Sequence, residues 1–365
     1  MKTFSKLTPL ALFLAFISLL GAIWAGWSRI GWLIPVPSPS LVLYHGPLMT
    51  MGFLGSLISL ERAVSLHKKW MFVAPVALAA AGFMLVIDLW ILSAKILLIL
   101  GSLFLFVIQI SIVCKHKAMH TWILLGGSLA GLTGNILWLF NHPTHRVVWW
   151  WALFLIFTIA GERLELGQVL RHSRASKILF VFICLLVVVG LITISFAIPV
   201  GYPMIGAGAF GLGIWLLKFD IARRTARQRG QVIRSVTHYI AYSLLLGFCW
   251  LVVSGLLLLL YGFYSAGLIY DAILHTLFIG FVISMIFGHA PIILPSIFGL
   301  QFVFKPVLYV PLLLLQLSQA LRIFGDLGRQ VDFRLWGGLL NGVAILLFMA
   351  SLLGIIGKSK LTPKR

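Results

Sequence analysis

The sequence predicts an all-α, polytopic membrane protein, and three observations lead there. Hydrophobic residues fill 61% of the 365 positions and charged ones only 10%, too little polar material to cover a water-soluble domain. The apolar residues come in runs of about 20, the length at which a helix crosses a hydrocarbon core. Lys and Arg, 28 against 8 Asp and Glu, gather in alternate gaps between those runs, as cytoplasmic loops do.

The runs fall near residues 8–28, 40–61, 70–91, 94–113, 119–140, 147–168, 177–198, 200–218, 237–261, 267–290, 306–324 and 335–356. That makes twelve spans in one transmembrane domain covering 1–365, with no soluble insertion or low-complexity tract. The first follows Lys2 and Lys6 in the manner of a signal peptide, but its apolar run is long and no clear small-x-small cleavage site follows. The second begins near His45 and ends in Glu61-Arg62. The fifth carries Gly127, Gly131 and Gly134, and the eighth carries Gly206-Ala207-Gly208-Ala209; small residues at helical spacing let helices pack closely. The sixth opens on Trp149, Trp150 and Trp151, which read as an interfacial aromatic belt, and it ends in Gly161-Glu162-Arg163. The ninth starts with His238, after a basic run from Arg223 to Arg234. The tenth runs from His275 to Gly288-His289-Ala290-Pro291, where the proline ends it.

With the N-terminus inside, all but six of the 28 basic residues fall on the inner side; the exceptions are Arg29, Lys95, Arg146, Arg322, Arg329 and Arg334. Both termini are therefore expected in the cytoplasm and the chain in the inner membrane. The formal charge of +20 becomes an inner-leaflet feature facing anionic headgroups. The partner it implies is the lipid bilayer, not nucleic acid. Arg322, Arg329 and Arg334 crowd one outer loop against the orientation rule. Two readings account for them: carboxylates of a bound haem, since Arg pairs with carboxylates bidentately, or Asp326 and Asp332 in the same loop.

Cys114, Cys184 and Cys249 are isolated, with neither C-x-x-C-H nor C-x-x-C, and read as packing residues. A faint repeat of four helices links the second, sixth and tenth spans. Each runs from outside to inside, begins near a histidine (His45, His145, His275) and ends in Glu-Arg or Gly-His. Three pseudo-symmetric four-helix units are the expectation.

His45 and His275 fall at matching depth on helices of the same direction. A lone membrane histidine can be a hydrogen-bonding residue between helices, whereas two at one level can serve a haem iron as axial imidazoles. His289 lies fourteen residues beyond His275, roughly 21 Å along a regular α-helix and on nearly the same face, so one haem cannot use both. His289 and His238 are candidates for a second, inner haem. His67, His116, His120, His142, His145 and His172 sit in loops or at helix ends. Two of the three glutamates stand in Glu61-Arg62 and Glu162-Arg163 at inner helix ends. Ionisable groups there are paired or functional: an ion pair fixing helix register, or a proton-uptake, copper or quinone-adjacent site.

The segment Tyr44-His45-Gly46-Pro47-Leu48-Met49-Thr50-Met51-Gly52-Phe53-Leu54-Gly55 resembles the aromatic-His-x-His-Glu-Met-x-x-Gly-Phe signature of the NnrS family. His275-Thr276-Leu277-Phe278-Ile279-Gly280 is similar to that family's His-Ala-Leu-x-x-Gly stretch, and Gly288-His289 to its later Gly-His. The resemblance implies a helix arrangement like the catalytic subunit of haem-copper oxidases. It also implies a b-type haem held by His45 and His275, outer arginines on its propionates, and a link to nitric oxide stress. The signature's second histidine and glutamate are Pro47 and Leu48 here, which argues against copper. No deep histidine in the sixth span and no His-His pair follow, which argues against a terminal oxidase. The expected function is membrane electron transfer or the handling of nitric oxide, possible partners being a quinone, a redox donor protein and a small gas ligand; whether it is catalytic stays open. The competing class is a secondary transporter of a small solute, for which twelve helices and proline-broken segments are also common.

Overall fold

The computed structural model describes residues 7–170, 172–228, 235–298, 300 and 302–360, with 298 and 358–360 described by backbone alone. Lys2, Lys6, Arg171, Arg229, Arg234, Lys364 and Arg365, counted in the orientation argument, lie outside the described residues. Regular structure among the described residues is entirely helical.

Twelve helices are long and apolar enough to cross a membrane. They are Leu7–Ile30, Pro39–Leu66, Lys69–Val86, Ile91–Lys115, Met119–Leu139, Thr144–Leu170, Arg174–Thr193, Ile198–Phe219, Val236–Tyr261, Leu268–Ile297, Pro306–Leu327 and Val331–Gly357. Numbered in this order, they are the spans that hydropathy marks out, and their ends differ in instructive ways. The second continues past Arg62 to Leu66 and stops where His67 turns left-handed at φ 57°. The tenth does not end at Pro291 but carries both Pro291 and Pro295 inside its helix. Within a membrane, neighbouring helices and local adjustment re-satisfy the carbonyls a proline strands, so a proline need not break a span there. Tight turns join several spans, with Asp88, Trp90, Asn141 and Arg329 all at positive φ.

The fold divides into two compact units, Met1–Glu162 and Arg163–Arg365. The division falls within the sixth span, between Glu162 and Arg163, and not at the four-helix intervals of the faint repeat.

In the first unit, three spans meet where side chains are smallest. A Cβ on Gly82 would lie 2.9 Å from the Gly52 Cα and 3.1 Å from the Ser18 Cβ, so the second and third spans touch backbone to backbone there, against the small Ser18 side chain of the first. The fifth span packs on the sixth through the predicted glycines: a Cβ on Gly127 would sit 3.0 Å from the Phe157 Cβ, and one on Gly134 2.8 Å from the Trp151 ring. The tryptophans at the start of the sixth span are not the belt their position predicts. Trp151 is fully buried and Trp149 nearly so. The Trp151 Nε1 donates to Asn135 Oδ1 at 3.0 Å, and Asn135 Nδ2 reaches the Leu98 carbonyl at 3.1 Å. The sixth span is the most enclosed of the twelve, so its rings face protein, not headgroups.

The second unit repeats the device. A Cβ on Gly208 would come within 2.3 Å of Val187 Cγ2, and one on Gly206 within 2.9 Å of the Leu259 nitrogen, drawing the seventh, eighth and ninth spans together. Gly280 forms a notch for Trp250, whose Nε1 donates to Gln316 Oε1 at 2.7 Å; Gln316 in turn donates to Ser284 Oγ at 2.9 Å. One indole thereby ties the ninth, tenth and eleventh spans. Polar groups inside a bundle find partners across helices because lipid offers none.

Candidate functional site

His45 and His275 each stand next to a stretch of rare backbone. Residues Leu48–Gly55 and Thr276–Ile283 are both π-helical, and each stretch is eight residues long. A π turn closes i→i+5 hydrogen bonds, holds an extra residue, and is frequent at functional sites. Local chemistry favours it. The Thr50 and Thr276 hydroxyls donate to the carbonyls four residues back, at 2.8 and 2.9 Å, and Gly52, Gly55 and Gly280 admit close neighbours. The sixth span, the middle member of the faint repeat, is α-helical over Thr144–Leu166, so among the described residues the π signature belongs to the spans of His45 and His275 alone.

In the first unit, His45 Nδ1 lies 2.7 Å from the Ala22 carbonyl oxygen. In the second, His275 Nδ1 lies 2.9 Å from the Asp271 carbonyl oxygen and 3.2 Å from Asp271 Oδ1. These oxygens only accept, so in the neutral imidazole Nδ1 carries the proton and Nε2 the lone pair. That is the orientation in which a histidine is presented to a metal. Gly26 makes room for the His45 ring, since a Cβ there would come within 2.9 Å of His45 Cε1.

The other two histidine candidates have different surroundings. His289 Nδ1 lies 2.7 Å from the Met285 carbonyl, but its Nε2 faces Arg163 Nη1 at 3.4 Å, so a guanidinium occupies the side a metal would approach. The intervening π stretch also voids the argument that His275 and His289 share a face, because 3.6-residue periodicity does not carry across it. His238 has the opposite tautomer, with Nε2 lying 3.3 Å from the Gln228 carbonyl and Nδ1 buried without a hydrogen-bond partner.

Members of the two Glu-Arg pairs reach partners beyond their own pair. Arg62 reaches Glu162 across helices at 2.6 Å, with both side chains partly exposed. Arg163 forms a two-pronged pair with Asp220, both contacts at 2.8 Å and both groups almost wholly buried. Asp220 also caps the short helix Ile221–Arg227 through the Ala222 N–H. Glu61 is half-buried.

The three outer arginines part company too. Arg322 clasps Asp271 through Nε and Nη2, each at 2.9 Å. Arg334 Nε lies 3.0 Å from Asp326 and 3.9 Å from Asp271. Arg329 and Asp332 are exposed in the turn. Of the two readings for these arginines, pairing with aspartates is therefore present for two, through Asp326 and through Asp271, which lies outside the loop. Asp271 was the residue the sequence argument missed. Its position four residues before His275 was the available signal, since i and i+4 side chains meet on a helix.

Among the described residues, no three His, Cys, Asp or Glu side chains group to hold a bare metal ion. A porphyrin brings four equatorial ligands itself and asks the protein for only one or two imidazoles. Each of His45 and His275, within its own unit, presents one imidazole held through Nδ1.

A family model described as "Domain of unknown function (DUF8744)" matches residues 8–356. The chain belongs to that family. No curated protein and no solved structure matches it. Membership of the DUF8744 family thus covers all twelve spans and both π stretches without naming a chemistry.

Proposed function

We propose that this protein is a haem-binding integral membrane protein of NnrS-like character, in which His45 and His275 are the imidazoles that would hold a b-type haem. The observation that carries the reading is the shared local build of these two residues. Each has its Nδ1 fixed by a backbone carbonyl, and each is adjoined by an eight-residue π stretch in a chain whose other spans have none among the described residues. Bound haem would supply a one-electron couple and, where an axial site opens, a place for a diatomic gas. The chain's own residues orient the imidazoles. With both axial places filled, the function is electron transfer or sensing; with one labile ligand, it extends to binding nitric oxide. An inner-membrane location with cytoplasmic termini, and a quinone or redox protein as electron donor, belong to this proposal.

A secondary transporter is the second reading, and one observation favours it: Asp220, Asp271 and Asp326 are acids placed within or at the ends of spans, each against an arginine. Paired intramembrane charges can mark a solute or ion path. Optical spectra of the purified protein separate the two. The haem reading expects a Soret band, with α and β bands on reduction. A colourless protein refutes it and leaves the transporter. Adding nitric oxide to the ferrous protein then decides the role: a shifted spectrum means gas binding, an unshifted one electron transfer.

A further inference from the structure

We infer that Asp271 is a positioning residue for the His275 imidazole, and that the charge network around it sets how strongly this ligand donates to the metal; this rests on the haem reading above. Asp271 meets the His275 Nδ1–H twice, through its backbone carbonyl at 2.9 Å and its carboxylate at 3.2 Å. One residue thereby fixes both the tilt and the tautomer of the ring. A carboxylate on the far nitrogen of a metal-bound histidine raises the basicity of the ligating nitrogen and favours the more highly charged metal.

The carboxylate is in turn held. Arg322 from the eleventh span grips both its oxygens, Arg334 from the twelfth lies 3.9 Å from Oδ2, and Asp326 takes the nearer share of Arg334. Two aspartates, two arginines and one histidine therefore share one cluster, in which Arg322 and Asp326 are 7% and 0% exposed and Asp271, His275 and Arg334 are half-buried. Asp271 also lies in the first turn of its helix, where the positive end of the helix dipole favours an anion. The arginines draw negative charge away from the side of the carboxylate that faces the imidazole, so Asp271 and Arg322 act on the ligand with opposite sign.

Spectroelectrochemistry of the purified holoprotein tests this, alongside haem content and the electron paramagnetic resonance of the ferric form. Asp271→Asn should keep haem, raise the midpoint potential and lower the ferric-to-ferrous ratio at fixed ambient potential about tenfold, which is about 59 mV for one electron. Arg322→Gln should move the ratio the other way. Because Asp271→Asn alone strands two guanidiniums and can fail to fold, the deciding variant is the double Asp271→Asn with Arg322→Gln, which removes a pair of zero net charge. A purely structural or through-space role leaves its potential at the wild-type value. A positioning role still raises it and shifts the ferric g-values, and Asp271→Glu restores both. An unchanged potential and unchanged g-values in the double variant overturn the inference while the haem reading stands. A wild-type protein without haem overturns both.

Discussion

The buried pair of Arg163 and Asp220 gives the most quantitative test of how the second unit is held together. Arg163 is 4% and Asp220 1% exposed, with two contacts of 2.8 Å. Asp220→Asn keeps the cap on Ala222 but leaves the guanidinium without its counter-charge. Breaking a buried pair from one side costs about 3–5 kcal/mol, mostly for the stranded charge. For a unit of around 200 residues, each kcal/mol moves the melting temperature by about 2–4 °C, so a loss of roughly 6–20 °C is expected. Arg163→Met should cost a similar amount by stranding the carboxylate. The double variant removes both charges and should return to within about 1–2 kcal/mol of wild type, because a buried pair adds little net stability over apolar replacements. The assay is the fraction of monodisperse protein left after heating in detergent, read by size exclusion. Single-variant losses under 1 kcal/mol, or a double variant showing the sum of both, would refute the reasoning. The pair of Arg62 and Glu162, 15% and 20% exposed, is the internal comparison, and its loss should cost less than that of Arg163 and Asp220.

Three further outcomes follow from particular contacts. Gly280→Ala puts a Cβ 2.5 Å from Trp250 Cγ; overpacking of this kind costs about 1–3 kcal/mol, and the same heating assay should register it together with a red-shifted tryptophan emission. Gly26→Ala should push the His45 ring from its place and lower haem content, whereas Gly46→Ala, whose Cβ meets nothing nearer than 3.8 Å, should leave haem content unchanged. His172, in the turn after the sixth span and 5.3 Å from the Trp215 ring, binds its proton less readily than an ordinary histidine, first because burial disfavours the charge and then because of Lys177. The folded form therefore takes up less proton than the unfolded one, and stability holds above the usual histidine range near pH 6.5 and falls as pH drops through it. Melting at pH 7.5 and 5.5 should show a gap that His172→Gln narrows.

Much of the fold was legible because span length and hydropathy answer to the thickness of a bilayer. The glycines of the fifth and eighth spans were legible as contacts for the same reason: nothing but close packing explains small residues at helical spacing in lipid. Three things were not. Pro291 looked like an end because its missing N–H is costly in water, yet it lies inside a continuous helix, as a proline can within a membrane bundle. Trp149 and Trp151 looked interfacial because depth alone does not say which way a ring points, and the enclosure of the sixth span depends on helices far away in sequence. The partners of Arg163 and Arg322 were illegible because Asp220 and Asp271 lie on other elements, and pairing across helices is decided by matched depth. Of the site, the histidines could be named from residue type and depth. The π stretches beside them could not, since no residue pattern there differs from an ordinary α-helix.

The account turns on whether His45 and His275 are iron ligands, and a pyridine haemochrome measurement on three purified proteins tests this most directly. Wild type should contain haem b, and His45→Ala and His275→Ala should each lose most of it, with a His142→Ala control keeping the full complement. Haem retained at the wild-type level in both ligand variants would contradict the assignment, and none in the wild type would contradict the account as a whole.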